Sequence, residues 1–506
     1  MKKIVIFLFT LVPLMMVAQE RIMVIADPHV MPQTLIEANP NFEDYMQHQR
    51  KMLDLSEPIW NALMDTAMKY QPDLVLIPGD LTKDGEPEAH AMVAQSLQQL
   101  RESGIRTLVI PGNHDLPNTV LWDSLYMTDE MVKDPHSHSY AVEPFSGVTV
   151  LGVDATNGNA SVGTFSEQSM AWLLAQADSA RSKGNMIIAM CHWQILEHFD
   201  QQGTLESSCR MADADAFRDS LMAHGVRVVL TGHFHVNGIT TYRDSINYND
   251  SLVEITTGSP ITFPCPYRWM TVSNDRSRLA VTTDFITSLD TIADMNSYSR
   301  EWMAVHTENM IPALANKAWG KVDAKWDTKV VPKLQQMGVD NLLIAYIKAK
   351  LPKNEAERVD ITKRYLGEAA VNMYLFHSEA NEHERPEMGQ NLANAVYTGM
   401  NGMMGECFGA FIELIGIFQI MAREMAKEPV QSLVENTTFW SLPADDMRRN
   451  CTNDLSITLT LNEPLIPNAI EQNPTFNDVR KIMRDGQIII IRDHRQYNIY
   501  GVEIAQ

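Results

Sequence analysis

The chain has 506 residues, 45% of them apolar, and a formal net charge of −22 at pH 7. That length exceeds one ordinary domain and that apolar content is ample for a packed core, so two or three domains are expected. The acidic balance repels polyanions and argues against a nucleic-acid polymer or an anionic membrane as the main partner.

The first segment sets the compartment. Lys2-Lys3, an apolar run from Ile4 to Val17 and then Ala18-Gln19 supply the basic, hydrophobic and small-residue parts of a secretory signal, and the run falls short of the ~20 residues that span a bilayer. A signal peptide over residues 1–18 is expected, giving a periplasmic or secreted mature protein with no integral membrane span. The five cysteines, Cys191, Cys209, Cys265, Cys407 and Cys451, show no metal spacing. An odd count in an exported chain allows two disulfides and one free thiol, and Cys191, which ends a buried strand, is expected to be the free one.

Residues 19–290 read as one α/β domain. Buried-strand runs at Ile22 to Ala26, Leu74 to Ile77, Leu108 to Ile110, Met186 to Cys191 and Val226 to Thr231 alternate with helices at Glu57 to Lys69, Glu86 to Ser103, Ser166 to Ser182 and Asp213 to His224. Ser56 is expected to cap the first of these helices. Two further strands, Gly238 to Tyr242 and Leu252 to Thr256, flank a polar turn.

Residues 295–440 read as a helical domain, with Leu343, Ile347 and Leu351, and again Val371, Tyr374 and Leu375, at helical spacing. Phe408 to Met421 is strongly apolar but contains Glu413, which favours a buried core helix over a membrane span. The His377 to Arg385 run reads as a solvated polar loop. Residues 450–506, with strands at Leu455 to Leu461 and Gln487 to Ile491, read as a small C-terminal α/β subdomain.

Chemistry is carried by five polar clusters in the first half: Asp27-Pro28-His29, Gly79-Asp80, Gly112-Asn113-His114-Asp115, His192, and Gly232-His233-Phe234-His235. Each follows or closes a buried strand, so they converge on one edge of the fold, where open α/β sheets place their sites. Together they offer enough nitrogen and oxygen ligands for two metal ions. Histidine with carboxylate suits Mn, Fe or Zn, whereas an all-oxygen set points to Mg or Ca. Two such ions about 3.5 to 4 Å apart lower the pKa of bound water and neutralise a phosphoryl group during in-line displacement. Hydrolysis of a phosphate ester is the natural reading. His90, His136, His138, His224 and His306 have no comparable partners and are expected to be ordinary surface or core histidines.

The order D-x-H, G-D, G-N-H-D, H and G-H-x-H resembles the calcineurin-like metallophosphoesterases over Arg21 to Asp284, with no motif position departing from the pattern. The resemblance implies a two-sheet αββα sandwich. It also implies one metal on Asp27, His29, Asp80 and His235, and another on Asp80, Asn113, His192 and His233. His114 would contact the substrate phosphate or protonate the leaving oxygen, with Asp115 orienting its ring. Val153-Asp154-Ala155, Gly163, Gln168, Trp172-Leu173 and Gly79 to Gly85 are similar to the branch that includes cyclic-nucleotide phosphodiesterase-like enzymes, although Ala155 stands where that branch has Ser.

Specificity is expected from the loops. Pro32 to Leu55 is a long insert after the first cluster, and Trp193, His198 and Phe199 follow His192. Gly258 to Trp269 brings Phe263, Tyr267, Arg268 and Trp269, either as an aromatic wall with a phosphate-binding guanidinium or as a Pro-fixed loop packed on the sheet edge. The expectation is an exported two-metal phosphoesterase for small phosphomonoesters or phosphodiesters, nucleotides included, using hydroxide generated at the ions. The competing class is a non-catalytic protein of the same fold that engages a partner or glycan through its C-terminal domain. The oligomeric state is left open.

Overall fold

The computed structural model describes residues 19–115, 119–157, 162–198, 202, 208–243, 251–336, 338–381, 384–408, 454–461, 479–484, 487–492, 495–497 and 503–504. The expected signal segment and the Phe408 to Met421 helix, Phe408 itself excepted, lie outside them. Two mixed sheets with helices outside form the first half. Six strands in the order β13-β12-β11-β1-β2-β3 make one sheet, from β1 (Glu20–Val24), β2 (Leu74–Pro78), β3 (Arg106–Ile110), β11 (Pro266–Val272), β12 (Arg278–Phe285) and β13 (Ser456–Thr460). Seven in the order β4-β5-β6-β7-β8-β10-β9 make the other: β4 (Val132–Lys133), β5 (Tyr140–Phe145), β6 (Val148–Val153), β7 (Met186–Cys191), β8 (Val228–Thr231), β9 (Gly238–Arg243) and β10 (Ser251–Thr256).

Strand alternation explains the layers. In β1, β2 and β3 one set of residues, Met23, Val75, Ile77 and Val109, packs under helices Ser56–Tyr70 and Pro87–Glu102. The alternate set, Ile22, Val24, Leu74, Leu76, Leu108 and Ile110, is buried on the other face, toward the second sheet. There the Tyr140 hydroxyl donates to the Val109 carbonyl oxygen at 3.0 Å. The outer face of the second sheet, including Leu151, Ile187, Ala189 and Val229, is covered by helices Glu167–Ser182 and Ala214–Ala223. The register β1–β2–β3 is parallel, Ile22 to Leu74 to Arg106, and so is β7–β8, Ile188 to Val228. All five ligand-bearing turns therefore leave the same edge.

Most expected elements lie within two residues of their observed bounds. Ser56 is the first residue of its helix and not its cap, because its hydroxyl is committed to Met31 N at 3.0 Å and to Leu53 O at 2.8 Å. Among the described residues, helices Met295–Lys325, Asn341–Lys350, Glu355–Thr362, Glu368–Glu379 and Pro386–Phe408 form the second half around Trp319, Trp326, Val330, Ile347 and Leu351. None of the described helices is long and apolar enough to cross a membrane.

Three expectations are corrected. The strand expected at 455–461 does not belong to a terminal subdomain: Ser456–Thr460 pairs antiparallel with β12, Thr282 opposite Ser456, and completes the first sheet. The separate unit begins at Leu465, and its described strands, Val479–Arg484, Gln487–Arg492, Arg495–Tyr497 and Glu503–Ile504, form an antiparallel sheet. His377 to Glu379 are the end of a helix, with Ser378 buried, so that stretch is not a solvated loop. Cys191 and Cys265 are in no disulfide, which leaves at most one pair among the other three cysteines and removes the expectation of two disulfides; the side chains of Cys407 and Cys451 lie outside the described residues.

Candidate metal centre

Seven of the expected site residues meet at that edge. Asp27 and His29 follow β1, Asp80 follows β2, Asn113 follows β3, His192 follows β7, and His233 and His235 follow β8. Asp27, His29, Asp80 and His235 place one ligand atom each within 4.8 Å of one another, and so do Asp80, His192 and His233, which makes Asp80 common to both groups. Asn113 joins the second, its Oδ1 3.0 Å from His192 Nε2.

The turns achieve this by unusual backbone. Asp27, His29, Asp80, His233 and His235 all have positive φ, between 42° and 65°, a conformation that costs a non-glycine residue on the order of 1 kcal/mol or more. The glycine that opens three of the five clusters has a different purpose. A Cβ on Gly79 would overlap the His192 ring, one on Gly112 the Asp80 carboxylate, and one on Gly232 the Asp27 carboxylate. The G-D, G-N-H-D and G-H-x-H patterns are thus a packing requirement: each glycine clears space for a ligand carried by another strand.

The donor set fits two divalent cations. His29 Nε2 lies 3.0 Å from His235 Nε2, and His233 Nδ1 lies 3.2 Å from His192 Nε2. Asp80 Oδ2 is 3.6 Å from His29 Nε2 and 3.2 Å from His192 Nε2. Ligand atoms roughly 3.0 to 3.5 Å apart are what bonds of about 2.0 to 2.2 Å to a common ion require. Hydrogen bonds aim the rings: His192 Nδ1 donates to Pro78 O at 2.9 Å, leaving Nε2 as the ligand, and His233 Nε2 donates to Ser208 O at 3.1 Å, leaving Nδ1. Both oxygens of Asp27 accept from the His233 amide, at 2.9 and 3.0 Å.

Electrostatics sharpens the fit. Burial pushes His29 well down, His235 down and His233 to about 3, so these imidazoles keep a lone pair for an ion. At His192 burial opposes the charge, but Asp80, then Asp27, push it up to about 9. Burial likewise opposes the Asp80 charge, and His192 with His29 holds its carboxyl well below the usual range.

His114 stands beside the centre, its ring edge-on to His29 at 4.8 Å between centroids and its amide donating to Asp80 Oδ1 at 2.9 Å. The expected role of Asp115 is corrected. Its carboxylate is buried and accepts from the amides of Gly112, Leu81 and Thr82 and from the Thr82 hydroxyl, at 2.9 to 3.1 Å, so it ties the β2 and β3 turns together. The His114 ring is held by Asp84, Nδ1 to Oδ1 2.7 Å. Burial would raise the Asp84 pKa, but His114 and Lys83 bring it to about 2. Its only sequence signal is its place in the Gly79 to Gly85 run.

Around the centre, Trp193 is buried with its ring 5.1 Å from His192 and 5.4 Å from His233. His198 is turned inward, 3.1 Å from the Thr256 hydroxyl, and Phe199 lies outside the described residues. Arg268 lies in β11 and settles its two alternatives: fully buried, it donates to Thr256 O, Asp454 O and Thr283 Oγ1 at 2.8 to 2.9 Å, which is a packing role.

Residues 20–237 match the family model of calcineurin-like phosphoesterases. The chain is similar to a probable glycerophosphodiester phosphodiesterase of Arcobacter nitrofigilis, 24% identical over 212 residues that make up 41% of this chain and 71% of that protein. It is also similar to a glycerophosphodiester phosphodiesterase of Enterobacter lignolyticus, 30% identical over 23% of this chain and 40% of that protein. A probable cyclic nucleotide phosphodiesterase of Rhodococcus erythropolis is 25% identical over 34% of this chain and 54% of that protein. Among solved structures, a dimetal phosphatase from Danio rerio has a TM-score of 0.41 at 16% identity, covering 52% of this chain and 95% of that one.

Proposed function

Because residues 20–237 form a calcineurin-like phosphoesterase domain, we propose that this protein is an exported two-metal phosphodiesterase that hydrolyses small phosphodiesters. The observation that carries the reading is the sharing of Asp80 between two ligand groups with His114 alongside. Two divalent ions bound there would activate water and neutralise the non-bridging phosphoryl oxygens. The remaining work falls to the chain. Asp80, Asp27, Asn113 and the four ligand histidines fix where the phosphorus sits. Asp84 holds Nδ1 of His114 at 2.7 Å, which leaves Nε2 to deliver a proton to the departing oxygen. Trp193 closes one side of the centre against water.

Phosphodiesters are favoured over monoesters by the substrates in the relatives' names, and export by the segment from Lys2 to Ala18. The test is hydrolysis of bis(p-nitrophenyl) phosphate, a glycerophosphodiester and a cyclic nucleotide by protein loaded with Mn or Zn. Turnover of a diester that disappears with a chelator supports the proposal, and failure on every diester with two ions bound overturns it. Export is read separately, from the amino-terminal residue of protein recovered outside the cytoplasm.

A further inference from the structure

The insert after the first cluster is clamped where it passes the metal centre. Gln47 O accepts from Asn309 Nδ2 at 3.0 Å, Gln49 O accepts from Trp302 Nε1 at 3.1 Å, and Met52 N donates to Ile261 O at 2.8 Å. The Arg50 guanidinium lies 4.3 Å over the Tyr374 ring. One turn further along the same helix face, His377 meets the ring of Phe234, the residue between His233 and His235. Residues 50 and 234 thus rest against one helix, and Ile261, which holds Met52, lies in the turn whose Ser259 hydroxyl donates to Asp27 O at 2.7 Å and whose Thr262 hydroxyl donates to His235 O at 3.3 Å, so that Lys51 is carried beside the centre.

Lys51 is half-buried and, among the described residues, has no hydrogen bond or ion pair. Its charge acts on Asp80, Asp84 and Asp27, and on His29 and His235. Each of those carboxylates already has a closer partner: Asp27 the His233 amide, Asp80 His192, Asp84 His114 and Lys83. Two divalent ions held by the ligand set would leave this ammonium facing like charge. An unpaired, partly desolvated ammonium is unfavourable until an anion arrives, and the anion this site exists to take is a phosphoryl group, for which lysine serves as a point-charge partner.

We propose that Lys51 binds a non-bridging phosphoryl oxygen of the substrate, and that the helical half serves the centre by holding the segment that carries it. The proposal rests on the phosphodiesterase reading, but its primary test is binding. Full-length metal-loaded protein, Lys51→Met and Lys51→Arg are titrated with inorganic phosphate, and metal content is measured in each. The expected result for Lys51→Met is about two ions per chain, as in the wild type, with phosphate affinity lowered about tenfold to a hundredfold, largely restored in Lys51→Arg. On the substrate side KM rises more than kcat falls.

Trp302→Phe, which keeps the ring but removes the N–H to Gln49 O, is expected to weaken phosphate binding in the same direction by a smaller factor. In wild-type protein, phosphate should also protect Lys51, but not exposed Lys317, from acylation followed by mass spectrometry. That measurement decides the matter even where a variant does not fold. Unchanged phosphate affinity in Lys51→Met, loss of its metals, or no protection of Lys51 overturns the proposal; an unaffected Trp302→Phe overturns the part given to the helical half. Wild-type protein that binds phosphate through Lys51 yet turns over no diester would sink the proposed activity and leave this inference standing.

Discussion

Oδ1 of Asp84 lies 2.7 Å from Nδ1 of His114, and the two residues come from turns at the ends of adjacent parallel strands, β2 and β3. A carboxylate in this position fixes the ring's orientation and the nitrogen it turns toward the centre. His114→Ala is expected to lower kcat by about 10² to 10⁴ fold, and Asp84→Asn by about tenfold to a hundredfold, with metal content unchanged in both. The loss should be larger for an alkyl than for a nitrophenyl leaving group, since the poorer leaving group depends more on the proton. Equal losses across leaving groups would assign His114 to phosphate binding alone.

The glycines before the ligands should tolerate no side chain. Gly232→Ala and Gly112→Ala each press a methyl into a ligand carboxylate, Asp27 or Asp80, a mismatch costing about 1 to 3 kcal/mol. Both variants are expected to hold fewer ions than the wild type by elemental analysis and to unfold at lower temperature. Gly320, inside the Met295–Lys325 helix with open space around it, is the control: Gly320→Ala should be stabilising by about 0.5 to 1 kcal/mol.

A pH effect is expected far from the metals. Both Arg276 terminal nitrogens reach the Glu20 carboxylate, Nη2 at 2.7 Å, and its Nε donates to Ser146 O at 3.0 Å, joining the two sheets at the end remote from the ligands. The Arg276 hydrogen bonds hold Glu20 below its ordinary 4.5. A depressed carboxylate pKa contributes stability that is present above the unfolded value and lost as pH falls through the folded one. Glu20→Gln should therefore cost about 0.5 to 1 kcal/mol at neutral pH and progressively less as the pH falls below the ordinary 4.5, read by urea unfolding across that range. A cost that persists in acid would mean lost packing.

Cutting the chain after Asp284 is expected to damage the catalytic half. It strips β13 from β12, leaving a bare sheet edge, and removes Asp454, whose carbonyl accepts from buried Arg268 and whose carboxylate accepts from the Ile239 amide. The fragment should be aggregation-prone by light scattering. A monodisperse fragment with full metal content would show that β13 is dispensable.

The ligands were legible because each follows a buried strand and three of the five clusters are announced by glycine, both of which local sequence exposes. Asp84, Lys51 and β13 were not. Asp84 finds His114 across two turns, a relation that the strand order creates and the Gly79 to Gly85 run does not announce. Lys51 depends on Tyr374, Trp302 and Asn309, in helices whose periodicity reports their own packing and not what they touch. For β13, the alternation from Ser456 to Thr460 identifies a strand, but its partner lies beyond the whole helical region, and pairing at that separation leaves no local trace. Arg268 left both of its readings open, since a guanidinium near a phosphate site carries the same residue type whether it faces the site or the interior.

The pairing of Thr282 with Ser456 has a topological consequence. The chain departs from the end of β12 and re-enters beside it, so everything between is, in connectivity, the loop of one oversized hairpin. Such a loop can be exchanged as a cassette without rethreading the sandwich. Replacing residues 287–453 by a short turn would preserve β13, Asp454 and the edge it protects, and would separate what the sandwich does alone from what the cassette adds.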